Sequence, residues 1–165
     1  MTQHKQLVRM SLAAILLALT VVFGRIFLIP LPWTHGNVNL CDAGIFIASL
    51  MLGPWYGGFV GGFSGLFLDL ISGFAQYAPF SFVAHGLEGL ITGLITKHLP
   101  SLWGKILGLT VGTIIMVVLY LVSDSIMYSF STGILGIGPN LFQGLIGAVV
   151  AFVIEKPLQK RIKML

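Results

Sequence analysis

Long apolar stretches separated by short polar turns organise this chain. They cover residues 7–28, 42–52, 55–71, 79–97, 103–124 and 139–154. Proline and glycine punctuate them: Pro30 and Pro32 stop the first, Gly53 and Pro54 divide the second from the third, and Pro139 opens the last. A helix needs about 20 mostly apolar residues to cross a bilayer, and in lipid each backbone polar group must be satisfied within its own helix. The pattern therefore predicts an all-α membrane protein, a compact bundle of six transmembrane helices in which residues 1–165 form a single integral-membrane domain. The second segment is short for a crossing. It is either tilted or shielded by its neighbours, or it and the third form a re-entrant hairpin. Asn39 or Asp42 is placed to cap it.

Composition strengthens the membrane reading, with 56% of residues apolar and 8% charged. The short connections leave no room for a catalytic domain outside the bilayer. The first apolar run ends without a small-residue cleavage site and is followed by further spans, so it reads as a retained helix and not a signal peptide. Cys41, the only cysteine, permits neither an intrachain disulfide nor a thiolate metal cluster. A formal charge of +4 could suggest nucleic acid, but no continuous basic face carries interleaved aromatics. Instead Lys156, Lys160, Arg161 and Lys163 crowd the tail, where they set topology. With the N-terminus inside, the cytoplasmic side receives those four with Lys5, Arg9, Lys97 and Lys105, and the outer side only Arg25. Both termini are therefore expected in the cytoplasm. The string Gly57, Gly58, Gly61, Gly62 and Gly65 offers a side-chain-poor surface for close helix packing. It lacks the Gly-Lys-Ser/Thr ending of a phosphate loop, and no strand precedes it.

That orientation gathers the intramembrane polar residues in the outer half of the bilayer. The first loop carries Trp33, His35, Asn37 and Asn39, and the loop before the fourth helix carries Gln76 and Tyr77. Ser81, His85 and Glu88 follow at i, i+4 and i+7, along one face of that helix. Ionisable groups exposed to lipid are costly, so His85 and Glu88 are expected to face the interior, where they either contact a ligand or pair to fasten helices together. Asn140 and Gln143 each offer a donor and an acceptor, suited to a heteroaromatic or amide solute, although Asn140 could equally cap the sixth helix. Trp33 and Tyr77 could stack on a planar solute or serve as interfacial aromatics. Asp42, Asp69 and Asp124 stand at helix ends, where capping and water already account for them, and Asp124 joins the candidates by its place in the cluster. No catalytic residue, cofactor or metal is expected. His85 and Glu88 have the elements of an acid–base pair, but no nucleophile or three-ligand metal constellation accompanies them. A purely structural membrane protein is the remaining alternative. Ala14 and Ala18 form a small-xxx-small pair that presents a flat strip to another helix, and composition alone favours packing inside the bundle.

Three segments in order, AAILLAL (13–19), NVNLCDAGIFIASLMLGPWYGGFVGGFSGLFLDLISGFAQYAPFSF (37–82) and HGLEGLITG (85–93), make the chain resemble the substrate-binding S components of energy-coupling factor vitamin transporters. The resemblance extends over roughly residues 7–160. It implies a non-catalytic subunit in a bacterial plasma membrane that captures a small water-soluble vitamin or precursor outside the cell. It further implies two kinds of partner, a transmembrane scaffold subunit and two ATP-binding cassette ATPases that hydrolyse ATP. On this resemblance Ala14 and Ala18 dock on the scaffold, and the first loop, the loop between helices 3 and 4 and the outer parts of helices 4, 5 and 6 enclose the ligand. The segment APFSFVAHGLEGLITG is most similar to members assigned to hydroxymethylpyrimidine or pyridoxine-type substrates. Glu88 suits an amino-pyrimidine or protonated pyridine through a charge-assisted hydrogen bond. Pantothenate is an alternative, with protonated His85 or Arg25 receiving its carboxylate. Two residues depart from the family pattern: Cys41 stands where Gly is common, and His85 where Lys is common, which changes the charge of the expected pocket.

Overall fold

A computed structural model describes residues 3–162; the side chain of Arg161 and all of Lys163, both counted in the basic tail, lie outside the described residues. The elements run α1 (Gln3–Ile26), β1 (Ile29–Leu31), β2 (Gly36–Val38), α2 (Cys41–Leu52), α3 (Pro54–Ser72), α4 (Ala78–His98), α5 (Leu102–Met127) and α6 (Phe130–Ile162). Local chemistry sets several of the boundaries. Gly53 takes a positive φ of 88° between α2 and α3, and Pro54 begins α3 where its missing N–H has no intrahelical role. Gly73 closes α3 in the left-handed region and donates its N–H to the Asp69 carbonyl. Ser101 caps α5, its Oγ accepting from the Gly104 N–H at 3.0 Å.

The distribution of polarity is that of a membrane bundle. Large apolar side chains such as Phe23, Phe67, Ile126 and Phe142 lie on the outside, while Asp42, Asp69, His85, Glu88, Asp124 and Gln143 are buried. α1, α4, α5 and α6 are long and apolar enough to cross a bilayer. α3 has 19 residues, but its glycines, Trp55, Tyr56 and Asp69 dilute its hydropathy. α2 is only 12 residues long and nine of these are buried. It forms the central post of the bundle: Ala48 and Leu52, then Phe46 and Ile47, then Cys41 and Ile45 enter three separate apolar clusters. A short helix surrounded by longer ones escapes the length requirement, because protein rather than lipid satisfies its surroundings.

The basic residues gather at one end of this arrangement. Arg9 donates to the Leu52 carbonyl at 3.0 Å, and Lys105 Nζ reaches both carboxylate oxygens of Glu155 at 2.7 and 2.6 Å. The Gly53 turn sits at this same end, together with Arg9, Lys97 and Lys105. α3 and α4 pack closely along the glycine string. A Cβ at Gly65 would stand 2.8 Å from His85 Cδ2 and 2.9 Å from the Ser81 carbonyl oxygen, so the absence of side chains is what seats the polar face of α4 against α3.

Three sequence expectations change. The first loop is in fact an antiparallel hairpin, pairing Ile29 with Val38, Pro30 with Asn37 and Leu31 with Gly36. The last helix begins nine residues before Pro139, which lies in its interior, so Asn140 does not cap it. The preceding residues are themselves apolar, and continuing their helical hydrogen bonds outweighs the one N–H that proline lacks. Ala14 and Ala18 face outward; the inner face of α1 is Ala13, Thr20 and Gly24, so packing inside the bundle is excluded for the pair.

Candidate functional site

The hairpin, the turn before α4 and the ends of α3, α5 and α6 enclose a polar cavity at the end of the bundle opposite the basic cluster. Its roof is tied together by Tyr77. This hydroxyl lies 2.8 Å from Asp124 Oδ1 and 2.9 Å from the Thr34 carbonyl oxygen, and its one proton is shared between these acceptors. Burial first and the Asp124 carboxylate second push the Tyr77 hydroxyl well above its ordinary pKa, which keeps it a donor.

The hairpin is anchored by its own amides. Asn39 Oδ1 accepts from the Cys41 N–H at 2.8 Å, while Asn39 Nδ2 donates to Asn37 Oδ1 at 3.0 Å. Asn39 therefore supplies the side-chain bond at the start of α2. Asp42 does not: it is fully buried inside the helix, neither a cap nor in contact with water. Gln143 uses both ends of its amide to join three elements, accepting from the Asn39 N–H at 2.7 Å and donating to Asp42 Oδ1 at 3.1 Å.

The floor centres on His85. Its Nδ1 lies 2.7 Å from Glu88 Oε2 and 3.5 Å from Asp42 Oδ1. A carboxylate at Nδ1 fixes a proton there, so in the neutral ring Nε2 is the acceptor. Nε2 faces the Tyr120 hydroxyl at 3.2 Å and Cys41 Sγ at 3.7 Å, and Tyr120 meets Ser81 Oγ at 2.7 Å. Glu88 is fully buried and does not border the cavity, so it acts through His85.

Among the residues singled out from the sequence, Asn37, Tyr77, Ser81, His85, Asp124, Asn140 and Gln143 come together around the cavity. Trp33 is 55% exposed and His35 stacks on Tyr128 with ring centroids 4.6 Å apart; both stand outside the lining. Arg25, proposed above as a carboxylate partner, is exposed and also stands outside it. The sequence did not single out Thr34, Cys41 or Tyr120 as lining groups, while Asn39, placed in the outer polar cluster, and Asp69, taken for a helix-end residue in contact with water, line the cavity as well. Tyr120 precedes Asp124 by four residues and so shares its face of α5, a signal that was available.

The enclosed space is about 30 Å3, room for roughly one or two waters. Cys41, Asp42 and His85 each bring one possible metal-ligand atom within 4.8 Å of the others, a grouping not legible from the spacing of 44 residues between Cys41 and His85. These donors already face one another, with Cys41 Sγ 3.3 Å from Asp42 Oδ1, and they read as a closed hydrogen-bonded floor.

Comparison with known proteins follows the same lines. The family described as "ECF-type riboflavin transporter, S component" matches residues 4–160. A protein named thiamine precursor transporter HmpT, from Lactococcus lactis subsp. cremoris (strain MG1363), is 35% identical over 159 residues, covering 96% of this chain and 91% of its own length. An uncharacterised protein of Pyrococcus woesei is 30% identical over 134 residues, covering 81% of this chain and 90% of its own. Two solved structures share the fold. The S component of a bacterial ECF transporter superposes with a TM-score of 0.77 at 23% identity, covering 96% of this chain and 99% of that one. The S component for biotin from an ECF-type ABC transporter gives 0.70 at 21% identity, covering 94% and 95%.

Proposed function

The chain belongs to the S components of energy-coupling factor (ECF) transporters, the non-catalytic, substrate-binding membrane subunits of these importers, and from that premise we propose that it captures a hydroxymethylpyrimidine or pyridoxine-type vitamin precursor. The observation that carries the substrate class is the lining itself: a small enclosed site where the Asn140 and Gln143 amides, Ser81 and Tyr120 hydroxyls and His85 imidazole converge. Such groups read the ring nitrogens and exocyclic substituents of a one-ring heterocycle. The HmpT relative, named for a thiamine precursor, supports the same class. Pantothenate is less well served, because Arg25 is outside the lining.

Glu88 orients His85 toward the ligand in this reading, and Tyr77 with the hairpin covers it. Trp33 and His35 border the entrance from outside. The protein crosses the membrane six times with both termini in the cytoplasm. The gathering of Arg9, Lys97 and Lys105 at the end opposite the cavity supports this orientation, as does the Gly53 turn reaching that end, which argues against a re-entrant hairpin. The exposed Ala14 and Ala18 then lie on a face of α1 free to meet the transmembrane scaffold, with two ATPases supplying the energy.

Equilibrium binding to the purified subunit tests the reading, using hydroxymethylpyrimidine, pyridoxine, pantothenate, riboflavin and biotin as the panel. Saturable binding of a pyrimidine or pyridine compound is expected. A folded protein that binds none of the panel overturns it.

A further inference from the structure

The cavity has an uneven charge inventory. Asp69 on α3 and Asp124 on α5 line it, Asp42 and Glu88 lie buried beneath it, and among the described residues no lysine or arginine borders it. His85 is its one basic side chain, and that ring is already held between Glu88 and Asp42. The acids also differ in what they touch. Asp124 receives the Tyr77 hydroxyl, and Asp42 receives the Gln143 amide. Asp42 Oδ2 and Glu88 Oε1 are buried without a hydrogen-bond partner but lie outside the lining, whereas Asp69, only 7% exposed and beside the Asn37 and Ser81 side chains, borders the cavity with its Oδ2 likewise unpartnered. Buried polar atoms left unpartnered are rare and costly, and a carboxylate oxygen is satisfied best by a cation or by an N–H donor.

We propose that the ligand of this cavity presents a cationic or readily protonated nitrogen edge, and that Asp69 is the carboxylate that receives it. The inference rests on the vitamin-precursor reading and adds to it the sign of the ligand's charge and the residue that selects it. Glu88, one layer down, acts as a positioning residue for His85, whereas Asp69 touches the ligand. Selection follows from what the site lacks: an anionic vitamin would bring a second carboxylate into a lining with no fixed cation, and a ring carbonyl facing Asp69 would set acceptor against acceptor.

The test compares 4-amino-5-hydroxymethyl-2-methylpyrimidine with its 4-oxo counterpart on the purified subunit, in wild type, Asp69→Asn and Asp69→Glu. Wild type should prefer the amino compound by about ten- to a hundredfold, the range for a charge-assisted hydrogen bond. Asp69→Asn should lose most of that preference, and Asp69→Glu should keep part of it. Equal affinity of wild type for the two compounds overturns the inference, as does an unchanged preference in folded Asp69→Asn. Should Asp69→Asn fail to fold, the wild-type preference decides alone. Binding of pantothenate, biotin or riboflavin in place of either pyrimidine overturns the charge selection while a vitamin-binding function stands; a folded protein that binds nothing in the panel overturns both.

Discussion

Replacing Gly61 with alanine probes the contact that seats the binding face of α4. A methyl group built there falls on the His85 carbonyl oxygen, 2.8 Å from the carbonyl carbon and 3.2 Å from Ile45 Cγ2. The obstruction is backbone, which cannot swing aside. Carbon contacts are optimal at about 3.5–4.0 Å, so α3 and α4 must separate by roughly 1 Å. Overpacking of this kind costs about 1–3 kcal/mol, against a gain of about 1 kcal/mol in helix propensity on replacing glycine. The displaced segment is His85 itself, so the 2.7 Å contact with Glu88 and the position of Nε2 should both suffer. Gly86 in the same interface is the control, because a Cβ there meets nothing closer than 3.6 Å. Thermal unfolding in detergent and ligand affinity are the assays. Gly61→Ala should lower the midpoint and weaken binding at least about tenfold, the equivalent of about 1.4 kcal/mol, while Gly86→Ala keeps or raises the midpoint and binds normally. Wild-type behaviour of Gly61→Ala, or equal damage from Gly86→Ala, would refute the packing argument.

Glu88→Gln keeps an acceptor for His85 but removes its charge, and should reduce affinity by about 1.5–3 kcal/mol, roughly ten- to a hundredfold by titration; unchanged affinity in a folded protein would make the His85–Glu88 pair structural. Lys105→Met strands the nearly buried Glu155, leaving Gln159 as its hydrogen-bond partner among the described residues. It should cost about 3 kcal/mol in thermal or denaturant unfolding, and adding Glu155→Gln should restore much of that loss; equal stability of all three proteins would refute the pairing. Ala14→Trp and Ala18→Trp, on the outer face of α1, should leave affinity in the isolated subunit intact and impair co-purification with the scaffold and ATPases. Normal assembly with both positions enlarged would remove this face from the mechanism.

What the sequence revealed depended on whether a residue's surroundings were set by local geometry. Ser81, His85 and Glu88 were legible because helical periodicity alone puts them on one face, and the cost of charge in lipid turns that face, with His85 and Glu88 on it, into the bundle. Asp69 and Asp42 were not, since a carboxylate near a helix end has a ready local explanation, and only the packing of α2 and α3 against α4 removes them from water. The hairpin rests on two three-residue strands, too short for an alternating pattern to register. Pro139 misled because proline ordinarily marks a boundary, while an apolar helix in lipid continues through it. The outward turn of Ala14 was hidden for another reason: α1 is apolar nearly all round and Ala13 is its neighbour, so composition cannot set the rotational phase.

Ligand-dependent hydrogen exchange on the intact subunit tests the central claim most directly, because it locates the occupied site as well as detecting binding. With hydroxymethylpyrimidine added, protection should concentrate in the hairpin from Ile29 to Val38, the turn at Tyr77 and the first turns of α4 through His85, the elements that enclose the cavity. Protection at the opposite end, around Arg9 and the Gly53 turn, or no change anywhere under saturating ligand, would contradict the account.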